Sequence, residues 1–173
     1  MTEAILPPEI PHIAPEAGAI AISSEVDPNI ARAREVSLAI DPTGTLPQVE
    51  IVPDPDASVA RGSLVPRKSF IMRDGQKVGT CTIVSDNKRH ARWFNGVEVN
   101  EKGVGFGSAA YKPAINQAML DGYDFRTHEW SQTSGAKAVW ERLAAAGVAR
   151  VEEPFMPAQE GKFSGSYVVD AVR

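Results

Sequence analysis

The sequence predicts a mixed α/β fold: a mostly antiparallel sheet flanked by helices, preceded by an irregular, proline-rich N-terminal arm. Three observations predict it. First, ten of the 13 prolines fall in residues 1–66, together with three arginines and ten acidic residues, whereas residues 67–173 hold 15 Lys or Arg against 12 Asp or Glu. Second, the later part alternates short strand-like runs with turn dipeptides and then with helix-period segments. Third, a stretch with three glycines in five positions, 103–107, separates the strand-like runs from the first of those helices. The expected division is therefore an acidic arm, 1–66, and a mildly basic body, 67–173.

Taken in order, the arm offers little room for long elements, because each proline fixes φ and removes a donor. Ile30 to Ile40 reads as a helix or a strand, and Gln48 to Val52 as a strand. In the body, Ser69 to Arg73 is a strand, Asp74-Gly75 a two-residue turn, and Lys77 to Val84 the return strand. A turn at 85–87 leads to a third strand, His90 to Val99. The glycine stretch follows, then a helix from Ser108 to Asp121, with Pro113 against its grain and Gly122 as terminator. Asp124 to Glu129 is a strand. Ser134 to Ala146 is a helix, because Ala136, Val139, Trp140, Leu143 and Ala144 recur at three- and four-residue steps. Two closing strands, Val148 to Phe155 and Ser166 to Val172, complete the order.

Composition bounds the function classes. The chain has 173 residues with 43% apolar content, enough for one core and too little for two. A net charge of −4 argues against a broad nucleic-acid-binding surface. The single cysteine, Cys81, excludes an intrachain disulfide and a cysteine-rich zinc site, and it reads as a small core residue. No apolar run approaches the roughly 20 residues of a membrane span, and the acidic N-terminus is no secretory signal. A cytoplasmic protein without metal is expected.

The glycine stretch carries the chemistry. Amides at a helix N-terminus lack internal partners and bear partial positive charge, and glycines let the main chain curve closely around a ligand. Lys102-Gly103-Val104-Gly105-Phe106-Gly107, followed by Ser108, thus reads as an anion cradle with a cation at its mouth. It is neither a Walker loop nor the usual dinucleotide fingerprint.

Residues 102–107 match the Arg/Gln-x-x-Gly-x-Gly/Ala motif of the GNAT superfamily of acyl-CoA-dependent N-acyltransferases, with Lys in first place. Downstream, Thr133, Ala136, Trp140-Glu141-Arg142-Leu143 and Gly147 are similar to that family's later element. The chain resembles the family over residues 69 to 155. The resemblance implies a GNAT-like sheet with splayed central strands, and an acetyl-CoA-dependent transfer to a primary amine by direct attack on the thioester. It implies that backbone groups of Val97 and Val99 pair with the pantetheine arm, and that amides from Gly103 to Ser108 hold the pyrophosphate. Lys102 and Thr133 complete the expected coenzyme-binding set.

The chain departs from the family at the catalytic positions. Where the family often has a Tyr that protonates the thiolate, this sequence has Trp140, whose indole N–H only donates. Trp140 reads either as a core aromatic or as a pantetheine contact. Tyr111 and Tyr123 are stand-ins for the missing acid. The third body strand lacks the carboxylate that serves some members as base, and Glu98 alternates to the face opposite Val97 and Val99. His128 and Glu129, at the end of their strand, are the base candidates, since an imidazole ordinarily titrates near neutrality. A packed histidine is the other reading. The family's first strand and two helices are not recognisable in residues 1–66. The expected partners are acyl-CoA and an amine, with a protein partner or self-association through residues 1–66. Neither a membrane nor a nucleic acid is expected. The alternative function is a catalytically weak GNAT-like module that serves a larger assembly through its arm.

Overall fold

A computed structural model describes residues 27–57, 62–128 and 132–173. The first described element is helix α1 (Pro28–Ile40). Asp27 caps it by accepting the Asn29 amide, and Pro28 enters with φ already helical. Ala33, Val36 and Ile40, spaced by three and four, are buried, so the segment that reads as helix or strand is a helix. It packs on α3 (Tyr111–Leu120) and α4 (Ser134–Ala145). Polar ties fix it further. Arg32 donates to the Val148 carbonyl at 2.6 Å, and the Asn29 side chain makes two hydrogen bonds to the Val172 backbone.

Seven strands form one sheet: β1 (Glu50–Pro53), β2 (Leu64–Arg73), β3 (Gln76–Asp86), β4 (Ala91–Val99), β5 (Asp124–Arg126), β6 (Arg150–Pro157) and β7 (Phe163–Val169). Their order is β1-β2-β3-β4-β5-β7-β6. Every pair is antiparallel except β4–β5, which is the mixed, mostly antiparallel sheet expected from the sequence. The compositional change near residue 66 is not a break in this architecture. Residue 66 lies inside β2, β1 pairs with β2, and Val36 and Ile40 sit in the same core as the later helices. Burial explains this: without α1, one side of α3 and α4 would be left in water. Residues 1–26 of the expected arm lie outside the described residues.

The Asp74-Gly75 turn joins β2 to β3 with both residues at positive φ (49° and 75°), as a two-residue hairpin requires. The expected helix from 108 starts two residues early and divides into α2 (Phe106–Ala109) and α3. Pro113 has no N–H to give the Ala109 carbonyl, which accounts for the interruption. The expected strand to Glu129 is shorter, ending at Arg126.

Aromatic side chains fill the space between the sheet and the helices. Phe94 of β4 meets Tyr111 of α3 edge-on at 4.9 Å between ring centroids, and Phe125 of β5 stacks on Trp140 of α4 at 6.2 Å. Both geometries suit the ring quadrupoles. Phe94 and Phe125 therefore mark the helix face of β4 and β5.

Candidate active site

The site begins with a defect in β4. Thr82 of β3 opposes Gly96, and its neighbour Ile83 opposes Phe94, which leaves Asn95 with no residue opposite. One extra residue in a strand bends it and sharpens its twist. β4 then parts from β5: the two pair only at Ala91↔Asp124 and Arg92↔Phe125. From Trp93 onward, the β5-facing edge of β4 has no strand partner among the described residues. A row of backbone donors and acceptors is left open there, a pairing template for an added extended chain. The bulge also resets the alternation, so Phe94, Val97 and Val99 all turn to the helix side. The two valines pack half-buried against the core. Glu98 is exposed.

The open edge runs directly into the glycine loop. Residues 101–104 are exposed, and Gly103 and Gly105 hold positive φ of 86° and 92°. No side chain caps α2, so the Phe106, Gly107 and Ser108 amides have no acceptor within the helix. Phe106 is itself buried and anchors the loop, with the Arg73 guanidinium 5.8 Å from its ring centre. A Cβ on Gly103 or Gly107 would meet nothing within 4 Å among the described residues, which leave that side of the loop open. On Gly105 it would lie 3.1 Å from Leu46, so the 41–49 loop closes one side of the turn. Lys102 and Val104 are exposed at the rim. A cavity of about 440 Å³ lies beside the loop, bounded by Arg73, Lys77, Glu101 and Phe106 among others.

The other expected residues are divided. Thr133 caps α4, its hydroxyl accepting the Ala136 amide at 3.2 Å, so its side chain already has a structural task. Trp140 is fully buried among Tyr111, Phe125 and Tyr167, and its Nε1 has no hydrogen-bond partner among the described residues. Burial pushes the Tyr111 hydroxyl well above its ordinary value, an effect the nearby Trp140 N–H opposes without reaching hydrogen-bond geometry. That position suits a packed aromatic better than a proton donor. Tyr123 is engaged elsewhere, donating to Asn87 and lying 4.3 Å from the Arg92 guanidinium. His128 lies two residues past β5, where its carbonyl accepts from Gln132. Glu129 lies outside the described residues.

His128 opens on a second cavity, of about 410 Å³, on the opposite face of the sheet. The alternation requires this: Phe94 and Phe125 face the helices, so Trp93 and Arg126 face away. The cavity touches both margins of the β4–β5 split through Trp93 and His128. Its charged wall comes from Lys88 and Arg89 of the β3–β4 turn and from Arg126 of β5. Sequence reading missed these three because only the sheet order brings them together. The 3-then-2 spacing of Phe94, Val97 and Val99 was the signal that could have disclosed the bulge.

No family model and no curated protein matches this chain. Its fold is similar to the ribosomal-protein-S18-alanine N-acetyltransferase of Escherichia coli, at 11% identity and a TM-score of 0.44 over 62% of this chain and 72% of that one. An acetyltransferase of Bacillus subtilis in complex with CoA gives 12% identity and 0.43, over 62% and 78%. A GNAT family acetyltransferase of Elizabethkingia anophelis with acetyl-CoA bound gives 11% and 0.43, over 70% and 95%. These are distant likenesses of fold.

Proposed function

We propose that the chain is an acetyl-CoA-dependent N-acyltransferase acting on a primary amine. The observation that carries this reading is the β5-facing edge of β4, open among the described residues, which leads without interruption into a glycine loop whose first helical amides have no acceptor among those residues. An extended amide-bearing chain ending in a diphosphate fits that succession: strand-like pairing along the edge, then anion binding at the loop. The motif resemblance at residues 102–107 supports the same assignment.

In this reading, the backbone around Val97 and Val99 holds the pantetheine. The amides from Gly103 to Ser108 hold the pyrophosphate, and Lys102 contributes charge at the rim. The coenzyme supplies an activated acyl carbon in a thioester. The acceptor amine enters from the cavity face, past Trp93 and His128. Its lone pair forms the C–N bond as the C–S bond breaks, and the thiolate leaves with the bonding pair to be protonated by solvent. His128 takes the proton that the amine gives up. Most of the rate comes from holding the partners in line, with proton transfer to His128 adding to it. Thr133 and Trp140 act indirectly, through the α4 cap and the packing beneath the split.

Calorimetric titration with acetyl-CoA and thiol release with a panel of amines test the reading in two halves. Saturable binding with amine-dependent thiol release is expected. Absence of binding at millimolar acetyl-CoA removes the reading. Binding without transfer to any amine points instead to the catalytically weak module, a reading favoured by the burial of Trp140 where an acid is needed.

A further inference from the structure

The second cavity carries more charge of one sign than a site for a simple amine requires. Lys88, Arg89 and Arg126 line it, against one carboxylate, Asp86. Asp86 is largely committed to the fold. It is buried, and its Oδ1 accepts the Lys88 and Arg89 amides at 2.9 and 3.2 Å, which builds the turn that carries both cations. Its Oδ2 is 3.7 Å from Arg89, at the loose end of an ion pair. Among the described residues, Lys88 pairs with no carboxylate. Arg126 is held by Glu152 at 2.7 Å, but Glu152 is shared with Arg150 and with Ser166, itself on the cavity wall. The guanidinium is thus oriented by one nitrogen and keeps further donors for the cavity. His128 adds a polar group, and Trp93 an aromatic wall. Three cations lining one concave site, against the single carboxylate Asp86, repel an oligocationic amine and attract an anion.

We propose that this cavity binds an anionic group, a carboxylate or phosphate, carried by the acceptor amine, so that Lys88, Arg89 and Arg126 select the acceptor while its amino group points toward the β4–β5 split. The assignment of the bound molecule as an acceptor rests on the acyltransferase reading; the anion site itself does not. The three cations grip the anion, Trp93 packs against the connecting carbons, and the amine is left beside His128.

Two measurements separate the anion site from the transferase reading. In the first, the full-length protein is titrated with inorganic phosphate, and separately with acetate, while the His128 ring protons are followed by NMR. Saturable shifts that persist with acetyl-CoA present, and that weaken in the K88Q/R89Q variant, are expected. That variant keeps the turn, because the Asp86 bonds go to main-chain amides. No saturable shift with either anion overturns the proposal. So does displacement of phosphate by acetyl-CoA, which would make the cavity a coenzyme phosphate site. In the second, thiol release is compared for phosphoethanolamine against ethanolamine, and for γ-aminobutyrate against butylamine. The anionic member of at least one pair is expected to lead by about tenfold in kcat/KM, and the pair that shows the lead identifies phosphate or carboxylate. K88Q/R89Q should cut that lead about threefold or more. A preference for ethanolamine and butylamine, which lack the anionic group, or for spermidine, overturns it. If anions bind as expected but acetyl-CoA does not, the anion site stands and the transferase reading falls.

Discussion

Asp41 shows how one side chain reaches the site through the backbone. It ends α1, accepts the Thr45 and Leu46 amides at 2.9 and 3.2 Å, and pairs with Lys112 of α3 at 3.2 Å. Burial alone would push its carboxyl up, but the Leu46 and Thr45 amides and Lys112 outweigh that and hold it below its ordinary 3.8. A carboxyl lowered on folding stabilises above its unfolded value and loses that contribution as pH falls through the folded one. Asp41→Asn should therefore lower the melting temperature at pH 7 and converge on the parent at strongly acid pH; an equal gap across that range would refute it. The same loop places Leu46 against Gly105. Gly105→Ala must hold φ near 92° with a methyl beside Leu46, which should cost about 1–2 kcal/mol of stability in denaturant melts and weaken coenzyme binding in calorimetry. His128→Gln should lower kcat by about 100-fold or more while acetyl-CoA binding holds; an unchanged kcat would remove His128 as the base. Cys81 is buried, and burial pushes its thiol up to about 12. It should stay silent to a thiol reagent until the chain unfolds, so thiol release from the native protein would report the coenzyme alone.

At the scale of elements, what the sequence disclosed was what is local. The Asp74-Gly75 hairpin, the glycine stretch and the period of α4 each follow from a few adjacent residues. The nature of 30–40 did not, because Ile30 to Ile40 carries apolar residues compatible with either period; its contacts with α3 and α4 decided for a helix. Nor did the role of Trp140, since a helix face says nothing of what lies opposite, and Phe125 and Tyr111 made it a core residue. The basic cavity was illegible for the same reason: Lys88 and Arg126 are 38 positions apart and meet only through the strand order. Restoring a regular strand by deleting Asn95 should close part of the split. That variant should keep its fold, shown by circular dichroism, and lose acetyl-CoA affinity; unaltered affinity would mean that the bulge does not create the site.

For the whole molecule, the acidic stretch before residue 66 is in part a structural member. Ile40 is fully buried beneath α3 and α4, and Ile40→Ala should cost about 2–5 kcal/mol. A fragment of residues 67–173 should fail to melt cooperatively, because it lacks α1 and β1; a cooperative transition would show that the body folds alone. In the proposed function, one continuous track, the open β4 edge and the glycine loop, receives the acyl donor. Amide hydrogen exchange with and without acetyl-CoA tests it most directly. Slowed exchange concentrated in residues 96–99 and 103–108 is expected. Binding that leaves those amides unprotected, while others slow, would contradict it.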